Sequence, residues 1–190
     1  MNRVESIPYG FLEGTKITCR TPIGEEVQAN VESLRPGDMV KTLNNGFMPV
    51  RVTSFITLST PYAEDYGCLY QMSNPYICLA SRQCTLVDEI SDEIRLAIIQ
   101  KVGYYNLADG MNKIPAFLDP RFSAIVQTQD LNVWYFSLEA EDGAQTYGIY
   151  ANGILVESVS LSAFRSIGMR PLANYKESVV IPYPVPEMNK

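Results

Sequence analysis

Four thiols and one acidic cluster are the side chains that could do chemistry in this sequence: Cys19, Cys68, Cys78 and Cys84, then Asp88, Glu89, Asp92 and Glu93. Cysteines that hold structural zinc usually come in pairs about two to four residues apart. Here even the shortest interval, Cys78 to Cys84, is wider, so no metal is expected. With no export signal and no disulfide-dense composition, the cysteines read as reduced thiols used as small hydrophobes. Paired carboxylates can act as general acid and base, but a charge run leading into a helix is by default a solvated face. Glu139, Glu141 and Asp142 close a strand and enter a turn, where solvation is again expected. The sequence contains no histidine. That removes Ser-His-Asp and Cys-His hydrolysis, His-ligated zinc proteases and the commonest proton shuttle. No phosphate loop or dinucleotide fingerprint is present, so no cofactor is expected.

The elements that must position these groups are mostly strands. Turn dipeptides recur at short intervals: Asn44-Asn45-Gly46, Asn74-Pro75, Asp109-Gly110, Asp119-Pro120, Asp142-Gly143 and Asn152-Gly153. Between them lie β-branched and aromatic segments, among them Met48–Leu58, Ile77–Val87, Asn132–Glu139 and Ile154–Val159. Asn45-Gly46 joins Met39–Leu43 to Met48–Phe55, and Asn152-Gly153 joins Thr146–Tyr150 to Ile154–Val159, each as an antiparallel hairpin. Two short helices are expected. Ile90, Ile94, Ile98 and Val102 recur at every fourth position, with Asp92 and Glu93 in the first turn of a helix over Ser91–Val102; the run Ala97-Ile98-Ile99 leaves a buried strand as the alternative. A second helix runs Ser160–Ile167 and is stopped by Gly168 before Pro171. In Val133-Trp134-Tyr135-Phe136, Trp134 and Phe136 share one face of a strand and Tyr135 takes the other, one face being core. No fixed-period repeat is visible.

A chain of 190 residues with 46% hydrophobic and 19% charged residues can bury one substantial core, with room for an arm. Its net charge of −6 and lack of any basic run give no footprint on a nucleic-acid duplex, so nucleic acid is not expected as a partner. Met1–Ser6 lacks the apolar heart of a secretion signal, and no apolar run approaches the roughly 18 residues of a membrane span. The expectation is a soluble chain that begins near Met1, with no membrane span. The C-terminal run Val179–Pro186 alternates prolines, so an extended backbone can pair along one edge only. That suits an arm laid on a neighbour; the plainer alternative is a stiff segment packed on its own domain. Tyr62, Tyr66, Tyr70, Tyr76, Tyr104 and Tyr105 lie in or beside connections, where rings with polar tips suit protein interfaces or else line an outer core.

Phe11-Leu12-Glu13-Gly14-Thr15-Lys16-Ile17, Thr21-Pro22-Ile23-Gly24 and Val31-Glu32-Ser33-Leu34-Arg35-Pro36-Gly37-Asp38-Met39-Val40 follow one another as in the opening of the Hedgehog/intein (Hint) family, which the chain resembles. Met48–Val52 continues the similarity, and Tyr147–Ser158 resembles the late strands of bacterial-type members. The likeness spans about 10–58, 77–88 and 132–159. In the Pro36-Gly37-Asp38 element, proline presets φ, glycine supplies the turn conformation and Asp38 accepts from nearby backbone donors. The resemblance implies a compact, mainly β domain of antiparallel hairpins with one or two short helices. It implies an N-terminal extension over 1–9, a Hint-like domain over 10–177 with an insertion at about 89–131, and a proline-rich arm over 178–190.

Family activity starts when a Cys or Ser side chain attacks the carbonyl just before it, while a histidine on a later strand helps protonate the departing nitrogen. Carried over, the nucleophile position falls on Gly10. The histidine position, within Leu79-Ala80-Ser81-Arg82-Gln83-Cys84-Thr85-Leu86, falls on Cys84. Glycine offers no nucleophile, and a thiol titrating near about 8.5 is a poor general acid and base at neutrality. Cys19 and Ser6 are too displaced along the chain to substitute. No catalytic residue and no enzyme activity are therefore expected. The resemblance implies a non-catalytic structural or protein-interaction module, intracellular or, given the family's occurrence in large DNA viruses, in a virion as a minor capsid protein. Two alternatives are an autoprocessing domain with atypical residues and a small-ligand binder using the degenerate cleft; a deep apolar pocket beside Gly10 and Cys84 would favour the latter.

Overall fold

The computed structural model describes residues 9–58, 69–125 and 129–166. In chain order they form β1 (Phe11–Leu12), β2 (Lys16–Arg20), β3 (Glu26–Asn30), β4 (Met39–Lys41), β5 (Phe47–Leu58), β6 (Leu69–Ser73), β7 (Tyr76–Ala80), β8 (Cys84–Val87), helix α1 (Asp92–Val102), β9 (Leu107–Ala108), β10 (Met111–Pro115), β11 (Ser123–Ala124), β12 (Leu131–Leu138), β13 (Gly148–Ala151), β14 (Ile154–Glu157) and helix α2 (Leu161–Ser166). The domain is mainly antiparallel β, as expected. Cys68, Tyr62, Tyr66, Ser6, the end of the second helix at Ile167 and the proline arm lie outside the described residues.

Strand β5 ties the architecture together. Its first residues pair with β4 (Met39↔Pro49, Lys41↔Phe47), and the rest pairs with β12 from Leu138↔Val50 to Leu131↔Leu58. On the β12 side the order continues through β1, β7, β6 and β11; on the β4 side it runs β2, β13, β14, β8, β10, β9, with β3 added to β2. The local chemistry explains the reversals. Asn152 (φ 47°) and Gly153 (φ 79°) close the β13–β14 hairpin, and Asp109 (φ 51°) with Gly110 (φ 81°) closes β9–β10, both in the left-handed region that Asn, Asp and Gly tolerate. At Pro36-Gly37-Asp38, Gly37 sits at φ 94°, and the Asp38 carboxylate accepts from the Arg35 N–H at 2.7 Å, as the turn chemistry predicts.

Two layers of core flank β12. Trp134 and Phe136 join the cluster containing Phe11, Ile17 and Ile149, with Phe11 and Phe136 rings 5.9 Å apart and Phe55 and Trp134 rings 4.6 Å apart. Val133 and Tyr135 join a second cluster with Leu69, Cys78, Val159 and Phe164. The alternation holds, but both faces are core, not one. Burying such side chains contributes roughly 1.5–3 kcal/mol each.

One other expectation changes. Ile77–Val87 is not one strand: β7 and β8 belong to opposite ends of the strand order, separated by a turn in which Gln83 N–H donates to the Ala80 carbonyl at 2.9 Å. Of the tyrosines expected in or beside connections, Tyr76 opens β7 directly beside the Asn74-Pro75 turn and Tyr70 is the second residue of β6. The 91–102 segment is helical, with Ser91 Oγ accepting from Ile94 N–H at 3.4 Å and Gly103 (φ 91°) ending the helix. Ile98 is buried, while Ile94, Ala97 and Val102 are half-buried. No helix among the described residues is long and apolar enough to cross a membrane.

Candidate functional site

Gly10 immediately precedes β1, which lies between β7 and β12 with Phe11 opposite both Leu79 and Trp134. The Gly10 carbonyl accepts from Ala80 N–H at 3.0 Å, and its own N–H donates to Gln83 Oε1 at 3.0 Å. Gln83, 1% exposed, then donates from Nε2 to the Glu157 carbonyl at 2.5 Å. With a donor on one side and an acceptor on the other, the orientation of the Gln83 amide is fixed by its partners. Gly10 has φ 128°, and a Cβ built there would stand 2.7 Å from Val133 Cγ1 and 2.8 Å from both the Trp134 oxygen and Tyr135 Cε1. No side chain fits.

Cys84 begins β8, paired with Pro115 of β10 and neighbouring Thr85, which faces Val156 of β14. Its thiol is buried and donates to the Arg82 carbonyl at 3.4 Å. Burial, followed by the nearby Glu157 carboxylate, pushes that thiol far above its usual range despite the opposing charge of Lys113. Burial also pushes Cys78 up to about 12 and, with Asp38, Cys19 up to about 12. The three described cysteines are free, buried and protonated at neutrality, hence unreactive. Among the described residues no cluster of His, Cys, Asp and Glu could hold a metal ion.

Beyond Cys84 lies a cleft of about 80 Å³. The scaffold lines it with Tyr9, Arg82, Cys84 and Glu157; the 89–131 segment supplies the facing wall, including Ile98, Val102, Tyr104 and Lys113. Half-buried Lys113 and buried Glu157 form an ion pair at 2.6 Å. Burial, the largest single influence, would lower the Lys113 pKa, but the charge and hydrogen bond of Glu157, with Cys84 and Tyr104, together more than offset it and the value is raised. The Tyr9 phenol is pushed up to about 12 by burial first and then by Tyr104, so it stays a hydrogen-bond donor. The 89–131 segment is not a loose appendage: β10 extends the sheet from β8, and Thr85 Oγ1 donates to the buried Asp119 carboxylate at 2.6 Å.

The structure therefore brings Gly10 and the β8 region together, but the side chain that meets the Gly10 amide is that of Gln83, one residue before Cys84. Gln83, Glu157 and Lys113 were not singled out from sequence. A glutamate inside the apolar run Ile154-Leu155-Val156-Glu157 is the one signal that could have pointed to a buried charge. The acidic cluster does not assemble into a catalytic pair: Asp88, Glu89, Asp92 and Glu93 are exposed, and Glu93 is held below the usual carboxylate range first by the Ser91 hydroxyl. Glu139, Glu141 and Asp142 are likewise exposed, with Asp142 capping the Ala144 N–H at 2.9 Å. The tyrosines divide: Tyr76 and Tyr104 are 57% and 56% exposed, while Tyr70 and Tyr105 are half-buried.

No family model and no curated protein matches the chain. Among solved structures it is similar to a bacterial intein-like domain from Clostridium thermocellum, at 15% identity and a TM-score of 0.47, over 79% of this chain and 98% of that one.

Proposed function

We propose that this chain is a catalytically silent Hint-like domain that works as a structural, protein-interaction module. The reading is supported first by the family-like segments of the sequence, which converge around Gly10: β1, the β7–β8 turn and the end of β14 meet there through the Gln83 hydrogen bonds. The observation that carries inactivity is the state of residue 10. Self-cleavage would need a nucleophilic side chain attacking the Tyr9 carbonyl and a proton delivered to the Gly10 nitrogen. Residue 10 is a glycine in a conformation and a space that exclude any side chain. Its nitrogen faces an amide oxygen, which accepts a hydrogen bond and holds no titrating proton to give.

The interaction role is supported by apolar side chains left outside. Leu96 and Ile99 on the outer face of α1, with Tyr104 and Leu107 after it, are 57%, 43%, 56% and 53% exposed. These are four of the seven large apolar side chains exposed among the described residues; Ile23 and Val27, 81% and 37% exposed, lie within the family-like region, but the four on the 89–131 segment, outside the family resemblance, make it the proposed contact surface. Placement in a virion as a minor capsid protein is part of the same proposal and rests on the occurrence of the family. The small-ligand alternative is weaker: a cleft of about 80 Å³ with three charged residues in its lining is far below the roughly 300–1,000 Å³ of ordinary ligand sites.

Intact-mass spectrometry of the purified full-length chain, held for a day at neutral pH with and without dithiothreitol, tests inactivity. A single unchanged mass is expected. Fragments that end at Tyr9 and begin at Gly10 would overturn the assignment.

A further inference from the structure

We propose that the cleft beside Cys84 receives the carboxylate of an aspartate or glutamate side chain carried by a protein partner. The inference rests on the interaction-module reading and names the chemistry of the partner's anchor.

Charge decides the class of ligand. Three formally charged residues line the cleft, and two of them, Lys113 and Glu157, neutralise one another at 2.6 Å. The third, Arg82, is exposed, and its guanidinium makes no hydrogen bond or ion pair with any described residue. Among the described residues the cleft therefore carries one uncompensated positive charge, on a chain whose net charge is −6. Its polar lining is rich in donors: the Arg82 guanidinium, the Tyr9 and Tyr104 phenols, and the Asn106 amide. Glu157, the one carboxylate present, already has its cation. A planar anion satisfies such a set, and the guanidinium fork matches a carboxylate in geometry as well as charge.

Size and wall then select a side chain. About 80 Å³ admits one head group. Ile98, Val102 and Pro115 supply an apolar wall against which a methylene stem can rest while the carboxylate reaches the donors. A free ion of that size brings too few atoms to bind usefully alone, and it must approach an acidic molecule. The remainder of the affinity has to come from the molecule that bears the carboxylate. The exposed ring of Tyr104 at the cleft and Leu107 next to Asn106 offer it an apolar rim.

The test is a titration of ¹⁵N-labelled full-length protein with acetyl-Leu-Asp-Phe-amide and with its uncharged counterpart acetyl-Leu-Asn-Phe-amide, followed by amide chemical shifts. The aspartyl peptide should move the signals of Cys84, Tyr104, Asn106 and Lys113 saturably and bind about 10-fold more tightly than the asparaginyl one, as expected for a charge-assisted hydrogen bond. Arg82→Gln, a change at an exposed residue, should remove that preference, and Arg82→Glu should abolish aspartyl binding. Equal binding of the two peptides, or no movement at 10 mM, overturns the inference. So does a shift of the same signals in Glu187→Gln without peptide, which would assign the cleft to the chain's own C-terminal segment. Each of these failures leaves the intact-mass result, and with it the inactive-scaffold reading, untouched.

Discussion

Cys84 stands between two regions built on opposite principles. Toward Gly10 the molecule is closed: the backbone amide, the Gln83 side chain and the Glu157 carbonyl form a continuous chain of hydrogen bonds, and the space a side chain would need is filled by Val133, Trp134 and Tyr135. The Trp134 Nε1 and the Tyr135 hydroxyl are buried there without a partner among the described residues. Toward the 89–131 segment the molecule is open, with an Arg82 that has no partner among the described residues, phenolic and amide donors and a ring of Tyr104 that faces solvent. A residual active site would leave its reactive centre accessible and its surroundings sealed. The reverse arrangement holds here. The place where bonds would break is packed as core, and four of the seven large apolar side chains exposed among the described residues sit on a segment that the family resemblance does not cover.

The comparison is tested most severely where the two regions are joined. Lys113 comes from the added segment and Glu157 from the scaffold, with side chains 16% and 6% exposed. Lys113→Met leaves a buried carboxylate without its cation and should destabilise the fold by about 3–5 kcal/mol in urea unfolding at neutral pH. Adding Glu157→Gln should recover most of the loss. A variant of unchanged stability would mean that the segment is merely apposed to the scaffold.

Gly10→Ala probes the sealed side. A methyl group meets backbone and side-chain atoms at 2.7–2.8 Å at a φ of 128°, and strain plus overpacking should cost about 2–4 kcal/mol in the same assay. Gly10→Cys sharpens the point, because it restores the nucleophile type without the room for it. It should be no more stable than Gly10→Ala and should remain uncleaved by intact mass. Cleavage at Tyr9–Gly10 in that variant would show that the site is dormant rather than sealed.

Much of this was legible from residues with strong local rules. Asn152-Gly153 and Asp109-Gly110 mark reversals because few other pairs accept two successive positive φ values, and Pro36-Gly37-Asp38 forms its turn from its own side chains. Helix α1 followed from its fourfold apolar spacing and acidic first turn. Where tertiary contacts decide, the sequence was mute. Nothing in Ile77–Val87 breaks a strand; the turn at Ser81-Arg82 exists because the Gly10 carbonyl takes the Ala80 N–H and Gln83 is drawn between Gly10 and Glu157. The uninterrupted Val133-Trp134-Tyr135-Phe136 run carried a clue to burial on both faces, since a half-exposed strand alternates with polar residues. Lys113 gave no local signal, because its partner is far along the chain.

The mildest effect is expected at Asp119, which ties the open segment to β8. Its carboxylate accepts from Thr85 Oγ1 at 2.6 Å and from Arg121 through Nη2 at 2.6 Å and Nε at 2.9 Å. Burial alone would raise its pKa, but the Arg121 and Thr85 hydrogen bonds more than offset this and hold the group below the usual aspartate range. A carboxyl group with a depressed folded-state pKa binds its proton more readily when unfolded. Its contribution is therefore complete above the unfolded value of about 3.9 and is lost as pH falls through the lower folded value. Asp119→Asn, which keeps the shape and one acceptor, should destabilise the protein by about 1.5–2 kcal/mol at pH 7, as for a hydrogen bond to a charged group. The deficit should shrink steadily as urea unfolding is repeated below pH 4. A deficit independent of pH would mean that the side chain acts only by its packing, and the latch between scaffold and added segment would then owe nothing to charge.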